Sequence, residues 1–169
     1  MVRIILVDFF VLLLVLLGNT LTLQSPDFAG VERVQQAVDV DRLAQNMSRA
    51  IRFRTISYQP GTVFNSPPFE AFLDFLQQAY PHLHQRAERV LIAHYTPLYI
   101  WKGRDSSLKP VLLTAHYDVV PVIPGTEDQW HRPPFAGDQV DGIIYGRGAL
   151  DDKRSVITIL EAVEMLAER

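Results

Sequence analysis

The sequence predicts an α/β fold, and three observations carry that reading. Apolar residues recur at helical spacing in three separate stretches, and short runs of β-branched and aromatic residues lie between them. One of those runs, residues 111–115, is apolar throughout and does not alternate, as expected of a central strand covered on both faces. Helices before and after a mostly buried sheet make a layered α/β architecture. With 169 residues the chain can build one ordinary domain, or part of one.

From the amino terminus, Ile4 to Leu17 is apolar apart from Asp8, with Arg3 ahead of it. Residues 1–23 are therefore expected to be a membrane anchor or signal segment. No clear small-x-small cleavage site follows, which favours an uncleaved anchor. With Arg3 on the cytosolic side, the rest of the chain is expected to be membrane-anchored or secreted, on the non-cytosolic side. Residues 24–38 read as a linker, and folding is expected over 39–169.

Leu43, Met47, Ala50 and Ile51, with Asp39 or Asp41 able to cap, predict a first helix ending near Phe53. Ser66-Pro67-Pro68 reads as a capping hydroxyl followed by proline in the first turn, and Phe69, Phe72, Leu73 and Leu76 form the stripe of a second helix that Pro81 ends. Both stripes are expected to be core. Residues 90–93 and 98–101 predict strands, and a polar turn over 103–110 leads into the central strand at 111–115. Residues 143–145 add a strand, and Val156, Ile159, Leu160, Val163 and Leu166 mark a last helix.

The formal net charge is −3 with signs interspersed, so no basic field exists to capture nucleic acid. Without cysteine, only His, Asp and Glu remain as metal ligands. Asn46-Met47-Ser48 is a glycosylation sequon of the kind that often arises by chance.

His116 and Asp118 stand two apart just after the expected central strand, so in extended backbone they project from one face. In a metal site a His nitrogen binds the ion while a carboxylate accepts the other ring proton. Ligands of open α/β sheets gather at such strand ends. Gly146 and Gly148 permit a tight turn before Asp151-Asp152-Lys153, which opens the last helix. Either aspartate could simply cap that helix, while adjacent carboxylates repel and a divalent cation relieves the repulsion. A phosphate loop is excluded, because the aspartates would sit where the anion must bind.

Taken together, His116-Tyr117-Asp118-Val119-Val120-Pro121, Trp130 with Pro133-Pro134-Phe135, Asp141 through Gly148, and Asp151-Asp152-Lys153 resemble the co-catalytic zinc peptidase family of aminoacylase, carboxypeptidase G and dipeptidase V (peptidase family M20). The likeness extends to carboxypeptidase S and the N-fatty-acyl-amino-acid synthase/hydrolase. It implies a three-layer catalytic domain with a mostly parallel central sheet, and hydrolysis of an amide bond in small peptides or N-acyl amino acids with two zinc ions. It implies His116 as a ligand of one zinc, Asp151 as the carboxylate bridging both, and Asp118 as the catalytic-site carboxylate that orients and polarises the His. Asp152 is expected to cap. Arg154 departs from the family's usual Gly. Trp130 and Phe135 match a segment bordering the cleft, and core packing accounts for them equally well.

The resemblance further implies that the remaining ligands and an acidic pair come from beyond Arg169. The chain is thus expected to be an amino-terminal fragment, truncated and inactive alone, with a homodimer possible for the full-length protein. Glu161 and Glu164 read as solvent-facing, and His82, His84, His94 and His131 as surface or scaffold residues. The contrasting reading is a non-enzymatic membrane-anchored fragment that only folds or binds partners.

Overall fold

The computed structural model describes residues 2–24, 36–59 and 61–169. The chain divides into two units, Met1–Ala37 and Val38–Arg169. The first contains helix α1, Val2–Thr22. Among the described residues no helix is long and apolar enough to cross a membrane, so the expected spanning anchor is not supported. Asp8, Asn19, Thr20 and Thr22 interrupt the apolar run of this helix. The linker expected over 24–38 lies mostly outside the described residues.

In the second unit, α2 (Val40–Arg52) starts where the sequence places it, with the Asp39 side chain accepting the Arg42 N–H at 2.9 Å. Helix α3 (Pro67–Ala79) starts at the proline pair, yet the Ser66 hydroxyl makes no capping bond. A cap accepts from the second or third helical N–H. Pro68 has none, and the Phe69 N–H already donates to the Ser66 carbonyl at 2.9 Å. Pro81 follows the end of α3 as expected and also opens α4 (Pro81–Arg86), a helix that the sequence pattern does not predict.

Strands β1 (Glu88–Ile92) and β2 (Thr96–Ile100) form an antiparallel hairpin. A smaller hairpin joins β3 (Gln139–Val140) to β4 (Ile143–Ile144), with Asp141 and Gly142 both at positive φ, 51° and 77°, as a two-residue type I′ turn demands. The expected central strand is corrected. Residues 111–115 form no strand, and Val111 and Leu112 are 85% and 76% exposed. Among the described residues the parallel pairing is a single bridge, Ile56 with Val119. An apolar run reports a preference for burial, whereas a strand also needs a neighbour to take its hydrogen bonds. The mostly parallel sheet is therefore not formed among the described residues, and the α/β character rests on the helices and the two hairpins.

Helix α5 (Lys153–Ala167) packs on α2 and α4. The core gathers Met47, Ala50, Ile51, Phe72, Phe75, Leu76, Tyr80 and Leu83 with Ile157 and Leu160, so both predicted stripes are core. Glu161 and Glu164 overturn expectation: each is only 2% exposed. Glu161 accepts from Asn46 Nδ2 at 2.7 Å, Arg42 Nε at 2.9 Å and the Tyr80 hydroxyl at 3.2 Å. Glu164 accepts the His82 and Leu83 N–H groups at 2.9 and 2.8 Å, supplying the open amides of α4 from another helix. Burial without such partners would be prohibitive for a carboxylate. Asn46, buried and committed to Glu161, gives the sequon no access in the folded chain.

Candidate metal centre

The segment carrying His116 is held on both sides of Asp118. The buried Thr55 hydroxyl donates to the Tyr117 carbonyl at 2.6 Å, and the Val119 N–H donates to the Thr55 carbonyl at 2.8 Å. The Tyr117 ring stacks on Phe72, centroids 4.7 Å apart and planes within 5°. Tyr117 thus turns into the core while His116 and Asp118 project together on the other side, as alternation along an extended segment requires.

Asp151 arrives from the turn before α5. Gly148 has φ +84°, and a Cβ there would stand 2.6 Å from Val119 Cγ1, so only glycine lets this turn lie against the bridge. The peptide bond between Asp151 and Asp152 is cis. Immediately afterwards Lys153 is fully buried, its ammonium donating to the carbonyls of Ala50 at 2.8 Å and Phe53 at 2.6 Å, above the Phe72 ring. It thereby ties the start of α5 to the carboxyl end of α2, where a cation is favoured. Burial pushes its pKa down to about 7.

These anchors bring together residues 35 positions apart: His116 Nε2 lies 2.9 Å from Asp151 Oδ1. The other ring nitrogen, Nδ1, lies 3.1 Å from both Asp118 Oδ1 and the Asp118 carbonyl. Partial burial opposes the charge on His116, but the bond to Asp151 and the bonds and charge of Asp118 outweigh it, so its pKa is raised. All three side chains are substantially open to solvent, Asp151 the most. Beside His116 and Asp118 lies a cavity of about 400 Å³ walled by Leu98, Leu112, Leu113 and Ile159.

The other candidates fall elsewhere. Asp152 occupies the cap position of α5, but its side chain makes no capping bond; its carbonyl takes the Ser155 N–H. Trp130 lies under the Arg147 guanidinium and Phe135 under that of Arg54. His84 is scaffold, between the Tyr80 carbonyl and the Tyr99 hydroxyl. His82, Glu164 and Glu168 bring one donor each within 4.8 Å of one another, a grouping that sequence spacing does not suggest. It has a structural account, because Glu164 caps α4 and Glu168 pairs with Arg42 at 2.9 Å. The buried role of Lys153 is likewise absent from the sequence expectations. Its signal is there nonetheless: Lys153, Ile157, Leu160 and Glu164 share one face at helical spacing.

Residues 112–169 match the model of "Peptidase family M20/M25/M40". "Probable carboxypeptidase S-like 2" of Dictyostelium discoideum is 45% identical over 73% of this chain and 24% of its own length. The N-fatty-acyl-amino acid synthase/hydrolase of Homo sapiens is 36% identical over 75% of this chain and 25% of its own. The crystal structure of human carnosine dipeptidase 1 aligns with a TM-score of 0.49 and 26% identity, over 75% of this chain and 29% of the solved one. The chain spans about a quarter of the length of the curated relatives it matches. The chain belongs to peptidase family M20/M25/M40.

Proposed function

We propose that this chain contributes His116 and Asp151 as ligands, and Asp118 as the residue that orients His116, to the dinuclear zinc centre of an amide-bond hydrolase acting on small peptides or N-acyl amino acids. The observation that carries the proposal is the 2.9 Å approach of His116 Nε2 to Asp151 Oδ1 with Asp118 on the opposite ring nitrogen. The donors fit zinc: two atoms each about 2 Å from one ion stand roughly 3 Å apart. Two carboxylates flank both ring nitrogens, so the proton between His116 and Asp151 occupies the place a cation would take. Asp118 keeps Nδ1 protonated, so that Nε2, on giving up its proton, would offer its lone pair to a cation held beside Asp151. Zinc, when bound, supplies Lewis acidity that polarises an amide carbonyl and acidifies a water. Asp151, nearly free of protein contacts on its outer face, can bridge two ions.

The proposal extends to the fold. Leu112 and Leu113, with Val156 and Ile159 on the half-covered face of α5, border one cavity. In a longer polypeptide this apolar run would pair as the central strand of a mostly parallel, three-layer sheet, with residues 39–169 as the amino-terminal part of the catalytic domain. The apolar α1 would act as a leader that takes the chain to the non-cytosolic side. Protease protection of the expressed protein in sealed vesicles tests that location.

Two direct donors fall short of the three protein ligands of a catalytic zinc, so the 169-residue chain should be inactive alone. Zinc titration of the full chain, followed by histidine resonances, should perturb His116 first. His116→Ala and Asp151→Asn should each weaken that binding by about tenfold or more. Affinity should fall as pH drops through the raised pKa of His116, where protons compete for Nε2. Zinc binding that ignores both substitutions would remove the proposal, and tight binding of two ions would overturn the expected inactivity.

A further inference from the structure

A second cavity, of about 460 Å³, is walled by Ile123, Trp130, His131, Arg132, Tyr145 and Arg147 among others, and by none of His116, Asp118 and Asp151. Its volume is in the range of small-molecule sites. Three of these residues carry or can carry positive charge, and no carboxylate belongs to the lining. The nearest acids in sequence, Glu127 and Asp128, are exposed, and Glu127 turns back to accept the Gly125 N–H at 2.8 Å.

Arg147 is the decisive member. Its guanidinium lies 5.0 Å from the centre of the Trp130 ring, and its Nε is buried without a hydrogen-bond partner. Among the described residues no acid stands within ion-pair distance of Arg147 or Arg132. The backbone explains why Arg147 is held there: its N–H donates to the Pro134 carbonyl at 2.6 Å, and a Cβ at the preceding Gly146 would stand 2.3 Å from Ile51 Cγ2. A buried cationic donor without an acceptor is unfavourable unless a ligand supplies one. The planar fork of Arg matches a carboxylate in two parallel bonds. The aromatic and aliphatic walls suit an apolar body behind that carboxylate.

We infer that this cavity is a binding site for a small organic carboxylate with an aromatic or apolar body, gripped by Arg147 and Arg132 and stacked against Trp130. The site is independent of the zinc proposal, since it uses none of the same residues.

The test is fluorescence titration of the full chain, carrying Trp101→Phe so that Trp130 alone reports, with benzoate as probe in a non-ionic detergent. Saturable quenching is expected. Benzamide, the neutral near-isostere, should bind at least tenfold more weakly, and so should inorganic phosphate. Arg147→Lys, which keeps the charge but loses the fork, should weaken benzoate about tenfold. Should that variant fail to fold by circular dichroism, the exposed pair His131→Gln with Arg132→Gln decides, with a weakening of at least threefold expected. Absence of saturable quenching, equal binding of benzamide or phosphate, or unchanged affinity in the deciding variant would each overturn the assignment.

Discussion

On the side of α5 that packs against α2 and α4, the buried residues include Lys153, Glu161 and Glu164 beside Ile157 and Leu160; on the other side Val156, Ile159 and Val163 are half-buried and Leu166 is 54% exposed. The polar-bearing face is covered, whereas the purely apolar face is covered only in part, by the contact of Val156 and Val163 with the core. Hydrophobicity alone ranks them the other way. The covered face wins because each polar group on it meets a partner: Lys153 finds two carbonyls, Glu161 three donors and Glu164 two backbone amides. Buried and satisfied, such groups fix one packing of the helices. Residues 111–113, beside the half-covered face, have apolar side chains and nothing that fixes a partner.

The sharpest way to break this contrast is truncation on each side. Phe72→Ala, within the covered core under Lys153 and Tyr117, should cost about 3–5 kcal/mol in urea unfolding of the full chain. Leu112→Ala should stay within about 0.5 kcal/mol. Equal losses would mean that the half-covered side is part of the core. Next in size, Glu164→Ala should cost about 1–3 kcal/mol, because it strips the acceptor from the buried Leu83 amide. Glu164→Gln should recover part of that loss, since one carbonyl oxygen remains to accept. A Glu164→Ala variant of unchanged stability would show the cap to be dispensable.

Lys153 offers an effect with a defined sign. Between its folded pKa of about 7 and its ordinary 10.5, the unfolded chain holds a proton that the folded chain lacks. Stability should therefore rise with pH from about 7 upward, by about 2 kcal/mol between pH 7 and 9, and be flat with respect to this group below its folded value. Lys153→Met should abolish that slope. If the slope survives the substitution, another group owns it. Smallest of all, Leu112→Thr should move stability by under about 0.5 kcal/mol while reducing self-association in sedimentation, since it interrupts an exposed apolar run.

Much of the candidate metal centre is legible in the amino-acid sequence. His116 and Asp118 are two apart, and the Gly146–Gly148 turn precedes Asp151, so local geometry already restricts where each can point. The approach of Asp151 to His116 depends on the Thr55 and Val119 pairing and on the anchoring of Lys153, none of which is local in sequence. The fold is legible where an element stabilises itself. Asp39 caps α2 from the adjacent residue, and Asp141-Gly142 makes its own hairpin turn.

By itself the sequence determined the starts and stops of α2 and α3, the apolar stripes of both, the paired turn glycines and the positions of the three candidate metal-centre residues. Those features depend on neighbours a few residues away, whose contacts form whatever else the chain does. Only the tertiary structure decided which face of α5 is covered, that Glu161 and Glu164 are buried, and that residues 111–115 stand without strand partners. Each of those outcomes is set by what a segment packs against, and a period in one strip of sequence names a face without naming its partner.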